Sequence, residues 1–94
     1  MRSPPIIRAA AWLTRENFPA HRALDPNGLQ ASFDEWLRDA ERITKEFERD
    51  GGIVERVVID PDQLVTWCRS RGCDVNSRAR AQFAIETLDQ SRKH

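Results

Sequence analysis

One stretch, residues 32–50, restricts the fold more than any other part of the chain, because its apolar residues keep helical spacing throughout. They recur at intervals of one, three or four residues and so share one helix face: Phe33, Trp36, Leu37, Ala40, Ile43 and Phe47. Ser32 stands at the N-cap position with Glu35 three residues later, while Gly51 and Gly52 supply a stop. The pattern predicts a long amphipathic helix that packs this stripe against the core.

The composition allows one small domain and gives it no strong overall electric field. A chain of 94 residues has room for a single core, and its three Trp and four Phe supply large apolar surfaces to fill it. The formal net charge is zero, whereas obligate binders of nucleic acid or of membrane surfaces carry an excess of one sign. Binding to either would therefore depend on a local patch of charge.

Two features bear on where the protein works. The apolar run at residues 6–13 is short and contains Arg8, so we expect neither a secretory signal nor a membrane-spanning helix. Without a sign of export, Cys68 and Cys73 are expected to be reduced thiols. The sequence therefore favours a cytoplasmic protein without a membrane partner.

The sequence before the long helix indicates an N-terminal arm at residues 1–28. A single globular α+β domain is expected to follow at residues 29–94. Residues 1–5 should form a loose tail, and residues 6–13 fit either a helix or an extended arm. Short helical turns are expected next, with an interruption at Pro19, because proline is tolerated only in the first turn of a helix.

One convincing strand is predicted after the double glycine. Residues 53–59 are rich in β-branched side chains, and both faces of such a strand would be mostly apolar. A lone strand leaves its backbone hydrogen-bonding groups unpaired, so it needs a partner. Either residues 6–11 pair with it within the chain, or the same strand of a second chain does. The sequence marginally favours the second arrangement, a homodimer through residues 53–59.

Two further helices are predicted at the C-terminal end. Asp60 is suited to cap the first, Gly72 should end it, and the second should begin after Asp74 or Asn76 and run toward Ser91. Their apolar residues at helical spacing are predicted to be buried: Leu64, Trp67, Cys68, Ala79, Phe83, Ala84 and Leu88. The predicted fold is thus α+β and predominantly helical, with a long central helix, one strand and a C-terminal helix-turn-helix-like pair.

Residues that carry catalytic chemistry are scarce in this sequence. It has two histidines, of which His94 is the last residue and is expected to be frayed, and it lacks a serine nucleophile elbow, a glycine-rich phosphate loop and an HExxH motif. Cys68 and Cys73 are interpreted as a core residue and a turn residue, with a redox thiol or a metal site as the alternatives. We therefore expect a protein that is not an enzyme, with no cofactor and no metal.

A basic cluster around the last turn indicates one binding function. Between residues 66 and 85 the sequence has four arginines and one aspartate, Asp74, which leaves an excess of three positive charges. In helix-turn-helix proteins the second helix presents its first turns to the bases of DNA. The candidate DNA-contacting residues are therefore Arg69, Arg71, Ser77, Arg78, Arg80 and Gln82. The corresponding function is a DNA-binding regulator that uses duplex DNA as its partner.

The hypothesis that the sequence favours is a small interaction or accessory protein that binds an unidentified protein partner. Acidic residues outnumber basic ones on the long helix, and we interpret most of them as a solvated face. Glu41 and Glu46 on this helix, together with Arg56 on the strand, are the candidate partner-binding residues. The absence of net charge is the observation that favours this hypothesis over DNA binding.

Overall fold

The computed structural model describes residues 4–91, so the predictions for residues 1–3 and for His94 lie outside the described residues. In chain order the elements are β1 (Ile7–Trp12), α1 (Phe18–Leu24), α2 (Phe33–Arg49), β2 (Ile53–Val58), α3 (Pro61–Arg71) and α4 (Ser77–Ser91). The described residues therefore form an α+β fold with four helices and a two-stranded sheet. This confirms the predicted class, α+β and predominantly helical.

The prediction of one strand is wrong, because the N-terminal segment supplies a second. β1 pairs with β2 in parallel, in a register that runs from Ile7 opposite Ile53 to Trp12 opposite Val58. Parallel strands need a crossover of a dozen or more residues, and α1 and α2 lie in that connection. Since β2 has a partner in its own chain, a homodimer no longer follows from an unpaired strand and stays a prediction.

The sheet lies between α2 and α4. Paired residues of parallel strands point to the same side, and on the side of α2 the Trp12 ring meets the Trp36 ring edge-on, with centroids 5.2 Å apart. On the same side the Arg8 guanidinium lies 4.8 Å from the centroid of Phe47. α4 packs against β1 from the opposite side. Both faces of this small sheet are thus covered by a helix.

The described ends of α2 and α3 follow their capping signals. Ser32 Oγ accepts a hydrogen bond of 3.2 Å from the backbone N–H of Glu35 at the start of α2. Asp60 caps α3 by accepting one of 2.9 Å from the N–H of Asp62. Gly72 ends α3 in the left-handed conformation, with a φ of 66°. These boundaries are confirmed because capping depends on residues that are close in sequence.

The predicted buried stripe of α2 is wrong at one position. Ile43 is 53% exposed, whereas Thr44 is 4% exposed. Residues four positions apart lie on the same side of a helix, so Trp36, Ala40 and Thr44 share one face. Ile43 lies beside this face. Apolar character alone therefore misplaced the buried face by one residue in this turn.

The core joins both ends of the chain. Its buried members come from α1 and the residue after β1 as well as from α2 and the later part of the chain: Leu13, Phe18, Leu29, Trp36, Ile59, Leu64, Cys68, Ala79 and Ala84. Residues of the predicted N-terminal arm thus pack directly against the predicted domain. Within residues 4–91 no helix is long and apolar enough to cross a membrane.

Candidate functional site

Polar side chains gather at the carboxyl end of the sheet, where α1 and α4 meet. We call Asn17, His21, Asp25 and Arg80 the sheet-end cluster. The backbone oxygen of Ile59, directly after β2, accepts a hydrogen bond of 3.0 Å from Asn17 Nδ2 and lies 2.8 Å from His21 Nε2. The carboxyl end of a parallel sheet is where open α/β folds place their ligands, so this cluster occupies a position typical of a binding site.

The protonation of His21 follows from its surroundings. The carbonyl oxygen of Ile59 can only accept, so Nε2 must carry the proton, and Nδ1 is left as a buried acceptor without a partner among the described residues. Burial lowers the pKa of His21 below its usual value, and the positive charge of Arg80 lowers it further, against the opposing hydrogen bond to Ile59. The imidazole is therefore neutral at neutral pH.

Arg80 forms a buried ion pair in the same cluster. Its Nη1 lies 3.0 Å from Asp25 Oδ2, and the two side chains are 5% and 13% exposed. This corrects the prediction that Arg80 contacts DNA, because a guanidinium enclosed by protein and paired with a carboxylate cannot meet a phosphate or a base. The pair links the end of α1 to α4 across 55 positions of sequence.

His21 and Arg80 are enclosed in the sheet-end cluster, whereas Asn17 and Asp25 are partly exposed. His21 is 0% exposed and Arg80 is 4% exposed, so a solute could reach them only if α1 or α4 moved. A catalytic acid or base must lie within hydrogen-bonding reach of the reacting group. We therefore assign the cluster a structural role: it satisfies the backbone oxygen that follows β2 and fixes α4 against α1.

The second polar region is an open groove between α3 and α4, with a volume of about 510 Å³. We call it the α3–α4 groove. Trp67 and Arg71 line it from α3, Cys73, Asp74 and Asn76 from the turn, and Arg78, Ala79 and Gln82 from α4. The Trp67 ring is held at a right angle to the Phe83 ring, with centroids 5.7 Å apart. An aromatic wall is therefore fixed on one side of an accessible cleft.

Glu86 organises the polar side of the groove. It accepts hydrogen bonds from Gln82 Nε2 at 3.1 Å and from Trp67 Nε1 at 3.4 Å, and it pairs with Arg71. The guanidinium of Arg71 also lies 4.6 Å from the centroid of Trp67. The hydrogen bond from Gln82 lowers the pKa of Glu86, and Trp67 and Arg71 lower it further, so this carboxylate stays ionised. The charge of Arg71 is consequently balanced within the protein.

Arg78 stands in a different situation at the rim of the same groove. It is exposed, and none of the ion pairs among residues 4–91 includes it. Asn76 fixes the start of α4 beside it, because Asn76 Oδ1 accepts a hydrogen bond of 2.8 Å from the N–H of Ala79. Arg78 is thus an unpaired cation carried on the first turn of a capped helix.

The structure brings together three of the six predicted DNA-contacting residues. Arg71, Arg78 and Gln82 line one groove, while Arg69 and Ser77 are exposed on α3 and at the first position of α4. Arg80 points into the protein instead. With Arg80 buried and Arg71 paired, Arg69 and Arg78 are the arginines of this set without an ion-pair partner in the described chain.

The predicted partner-binding residues have separate surroundings. Glu41 is exposed on α2, and Glu46 pairs with Arg42 on the preceding turn, at 3.4 Å. The guanidinium of Arg56 lies 4.7 Å from the centroid of Trp12 on the sheet. Arg56 therefore already has an aromatic partner in the folded chain.

Residues 4–91 contain no group of three or more His, Cys, Asp or Glu side chains that could hold a metal ion. Cys68 is buried and Cys73 is exposed, as the interpretation of a core and a turn residue requires. Both cysteines are free thiols.

Asp25 is the residue that sequence reasoning missed at the sheet-end cluster. It belongs to an Asp-Pro-Asn-Gly turn, and its role there gave no reason to pair it with a side chain on the last helix. No local pattern carries that signal, because the partner lies 55 positions away.

Fold and groove together define a small α+β protein whose two parallel strands lie between helices and whose accessible cleft is formed by the last two helices. Comparisons with protein-family models, with curated proteins and with solved structures gave no match for this chain. The groove is therefore the feature of this protein from which a function can be proposed.

Proposed function

We propose that this protein is a small, non-enzymatic interaction protein that binds a segment of another protein in the α3–α4 groove. The observation that carries the proposal is the groove's pairing of a fixed aromatic wall, Trp67, with an unpaired cation, Arg78. Such a cleft suits a segment that has an aliphatic or aromatic side chain next to an aspartate or glutamate. The apolar side chain would pack on Trp67, and the carboxylate would pair with Arg78.

The distribution of charge supports a protein ligand over nucleic acid. Affinity for duplex DNA grows with the number of phosphates that lysines and arginines neutralise, about 6 to 10 in strong binders. The cluster expected to supply this charge keeps Arg69 and Arg78 unpaired, and the exposed Asp74 lies between them in sequence. Binding a peptide with a single carboxylate requires fewer positive charges on the protein than binding a DNA backbone does.

Duplex DNA is the second candidate, and it rests on one observation. Ser77, Arg78 and Gln82 are all exposed on the first half of α4, which is where a helix-turn-helix-like pair would present its side chains. In this proposal α3 and α4 act as the helix pair, and Arg69 and Arg78 supply the phosphate contacts.

The outward face of α2 is a further candidate surface for binding a protein, as the α3–α4 groove is. The long helix α2 is proposed as an amphipathic central helix whose outward face, with Glu41 and Glu46, docks a basic partner. It provides a charge surface that is separate from the groove, so variants there serve as controls.

Selection from a library of random peptides displayed on phage tests the groove directly. We expect the enriched peptides to share an acidic residue next to an aliphatic or aromatic one. Arg78→Glu should weaken their binding about tenfold or more, since repulsion replaces attraction at the rim. Arg38→Glu is the matched control, because Arg38 is exposed on α2 and the change in charge is the same.

Two results would contradict the proposal. One is a set of enriched peptides without acidic residues, and the other is equal binding by the Arg78→Glu and Arg38→Glu variants. Fluorescence anisotropy with a labelled random duplex, at about 20 mM and about 200 mM salt, tests the second candidate. Tight binding to the duplex that weakens steeply with salt and is lost in Arg78→Glu would favour DNA over a peptide.

A further inference from the structure

The C-terminal end of α3 brings the two cysteines of the chain together. The N–H of Cys73 donates a hydrogen bond of 3.1 Å to the carbonyl of Cys68, and the N–H of Gly72 donates one of 3.3 Å to that of Arg69. These two bonds, with Gly72 in the left-handed conformation, form a Schellman motif. In this motif the side chains at the positions of Cys68 and Cys73 commonly contact each other across the helix end.

The two thiols differ in how accessible they are. Cys68 is 2% exposed, and its thiol donates a long hydrogen bond of 3.8 Å to the backbone oxygen of Asp74. Cys73 is exposed and lines the α3–α4 groove. Burial raises the pKa of the Cys68 thiol to about 11, and hydrogen bonding with the neighbouring Cys73 thiol adds to the rise. An exposed thiol thus lies beside a buried, protonated one.

We propose that Cys68 and Cys73 are a redox modification site, at which they form a reversible disulfide within the chain. Disulfides join Cα atoms about 4.4 to 6.8 Å apart. The direct backbone hydrogen bond between these two residues keeps their separation short, so the bond can form without unwinding α3. The site does not depend on what the groove binds.

The oxidant is a small disulfide such as oxidised glutathione, and the reaction is thiol–disulfide exchange. The Cys73 thiolate attacks one sulfur of oxidised glutathione, the glutathione S–S bond breaks, and one glutathione thiolate leaves. The Cys68 thiol then loses its proton and attacks Cys73 Sγ, which expels the second glutathione thiolate. Two protein thiols are oxidised, one glutathione disulfide is reduced to two thiols, and the two protons end on the glutathione products.

The order of the two steps follows from exposure. Cys73 reacts first because it is reachable from solvent, and Cys68 resolves the mixed disulfide because it lies next to Cys73. Once Cys73 is capped by glutathione it no longer bears a thiol, so its contribution to the raised pKa of Cys68 is removed.

Mass spectrometry of the intact protein tests the site. The full chain is first treated with oxidised glutathione and then alkylated. We expect a monomer that has lost two hydrogens and has gone from two alkylation sites to none. Trypsin cleaves after Arg69 and Arg71, which lie between the two cysteines, so the disulfide should link the fragments 57–69 and 72–78. A reducing agent should separate these fragments and restore both alkylation sites.

Two variants show which cysteine attacks oxidised glutathione and which resolves the mixed disulfide. Cys68→Ser should stop at a stable mixed disulfide with glutathione, and Cys73→Ser should stay unmodified because its remaining thiol is buried. The proposal is overturned if wild-type protein keeps both thiols, stops at the mixed disulfide, or forms disulfides only between chains. Should circular dichroism show that Cys68→Ser is unfolded, the linked fragments of the wild type and the behaviour of Cys73→Ser still decide the question.

Discussion

Arg78 and Arg80 lie two positions apart on α4 and have opposite surroundings. Arg80 is enclosed in the sheet-end cluster and paired with Asp25, whereas Arg78 is an exposed cation at the rim of the α3–α4 groove. A helix turns about 100° per residue, so positions two apart face nearly opposite directions. An arginine side chain therefore serves stability on one face of this helix and is available for binding on the other.

The largest expected difference between the two regions is in the free energy of unfolding of arginine variants. Arg80→Ala should lower it by about 3 to 5 kcal/mol, because Asp25, whose side chain is 13% exposed, is left as a largely enclosed charge without its partner. Arg78→Ala should change it by about 0.5 kcal/mol or less, as is usual for exposed positions. Urea titrations followed by circular dichroism measure both, and equal losses would mean that the two arginines contribute equally to stability.

A smaller effect is expected from Gly28, which lies in the turn beside the cluster. A Cβ at this position would overlap the Asp25 carboxylate oxygen that pairs with Arg80, so Gly28→Ala should displace that oxygen. We expect a loss of about 1 to 3 kcal/mol in the free energy of unfolding, as for other overpacked sites. The same urea titration measures it.

A double-mutant cycle shows whether that loss acts through Asp25. In an Asp25→Ala background the obstructing carboxylate is absent, so Gly28→Ala should have little further effect. If the losses of Gly28→Ala and Asp25→Ala simply added, the connection from Gly28 to the ion pair would be wrong.

The smallest effect concerns pH and His21. The folded pKa of His21 is lowered from 6.5, so below pH 6.5 the unfolded chain binds a proton that the folded chain excludes. Stability contributed by this residue is therefore complete above pH 6.5 and is lost as the pH falls from there through the folded pKa. The slope from one such group is at most about 1.4 kcal/mol per pH unit.

His21→Asn separates this contribution from that of other titrating groups. Asparagine can still donate a hydrogen bond toward the Ile59 oxygen but does not titrate. Urea titrations between pH 7.5 and 5.5 should show a shallower pH dependence for the variant than for the wild type. An identical pH dependence would mean that protonated His21 is accommodated in the cluster.

The sheet shows where sequence reasoning stopped short. Residues 53–59 are recognisable as a strand from their β-branched side chains, but the partner segment is half alanine and is equally suited to a helix. Pairing with β2 and cover from α2 and α4 decide its conformation. A strand of this kind is stabilised by contacts with distant residues, so its own composition does not identify it.

The candidate site residues also differ in whether neighbouring or distant parts of the sequence decide their surroundings. Arg71, Arg78 and Gln82 were selected from sequence and do meet at one groove, because they lie on two consecutive helices joined by a short turn. Arg80 was selected for the same reason and was misplaced, since its distance from Asp25 in the folded chain depends on how α1 and α4 pack.

By itself the sequence determined the α+β class, the positions of the later helices and the caps at Ser32, Asp60 and Gly72. These features depend on residues within a few positions of one another, and local hydrogen bonding and side-chain spacing specify them. Only the tertiary structure decided the second strand, the burial of His21 and Arg80, and the contact between the ends of the chain. Those features depend on which distant surfaces exclude water together, and no short stretch of sequence carries that information.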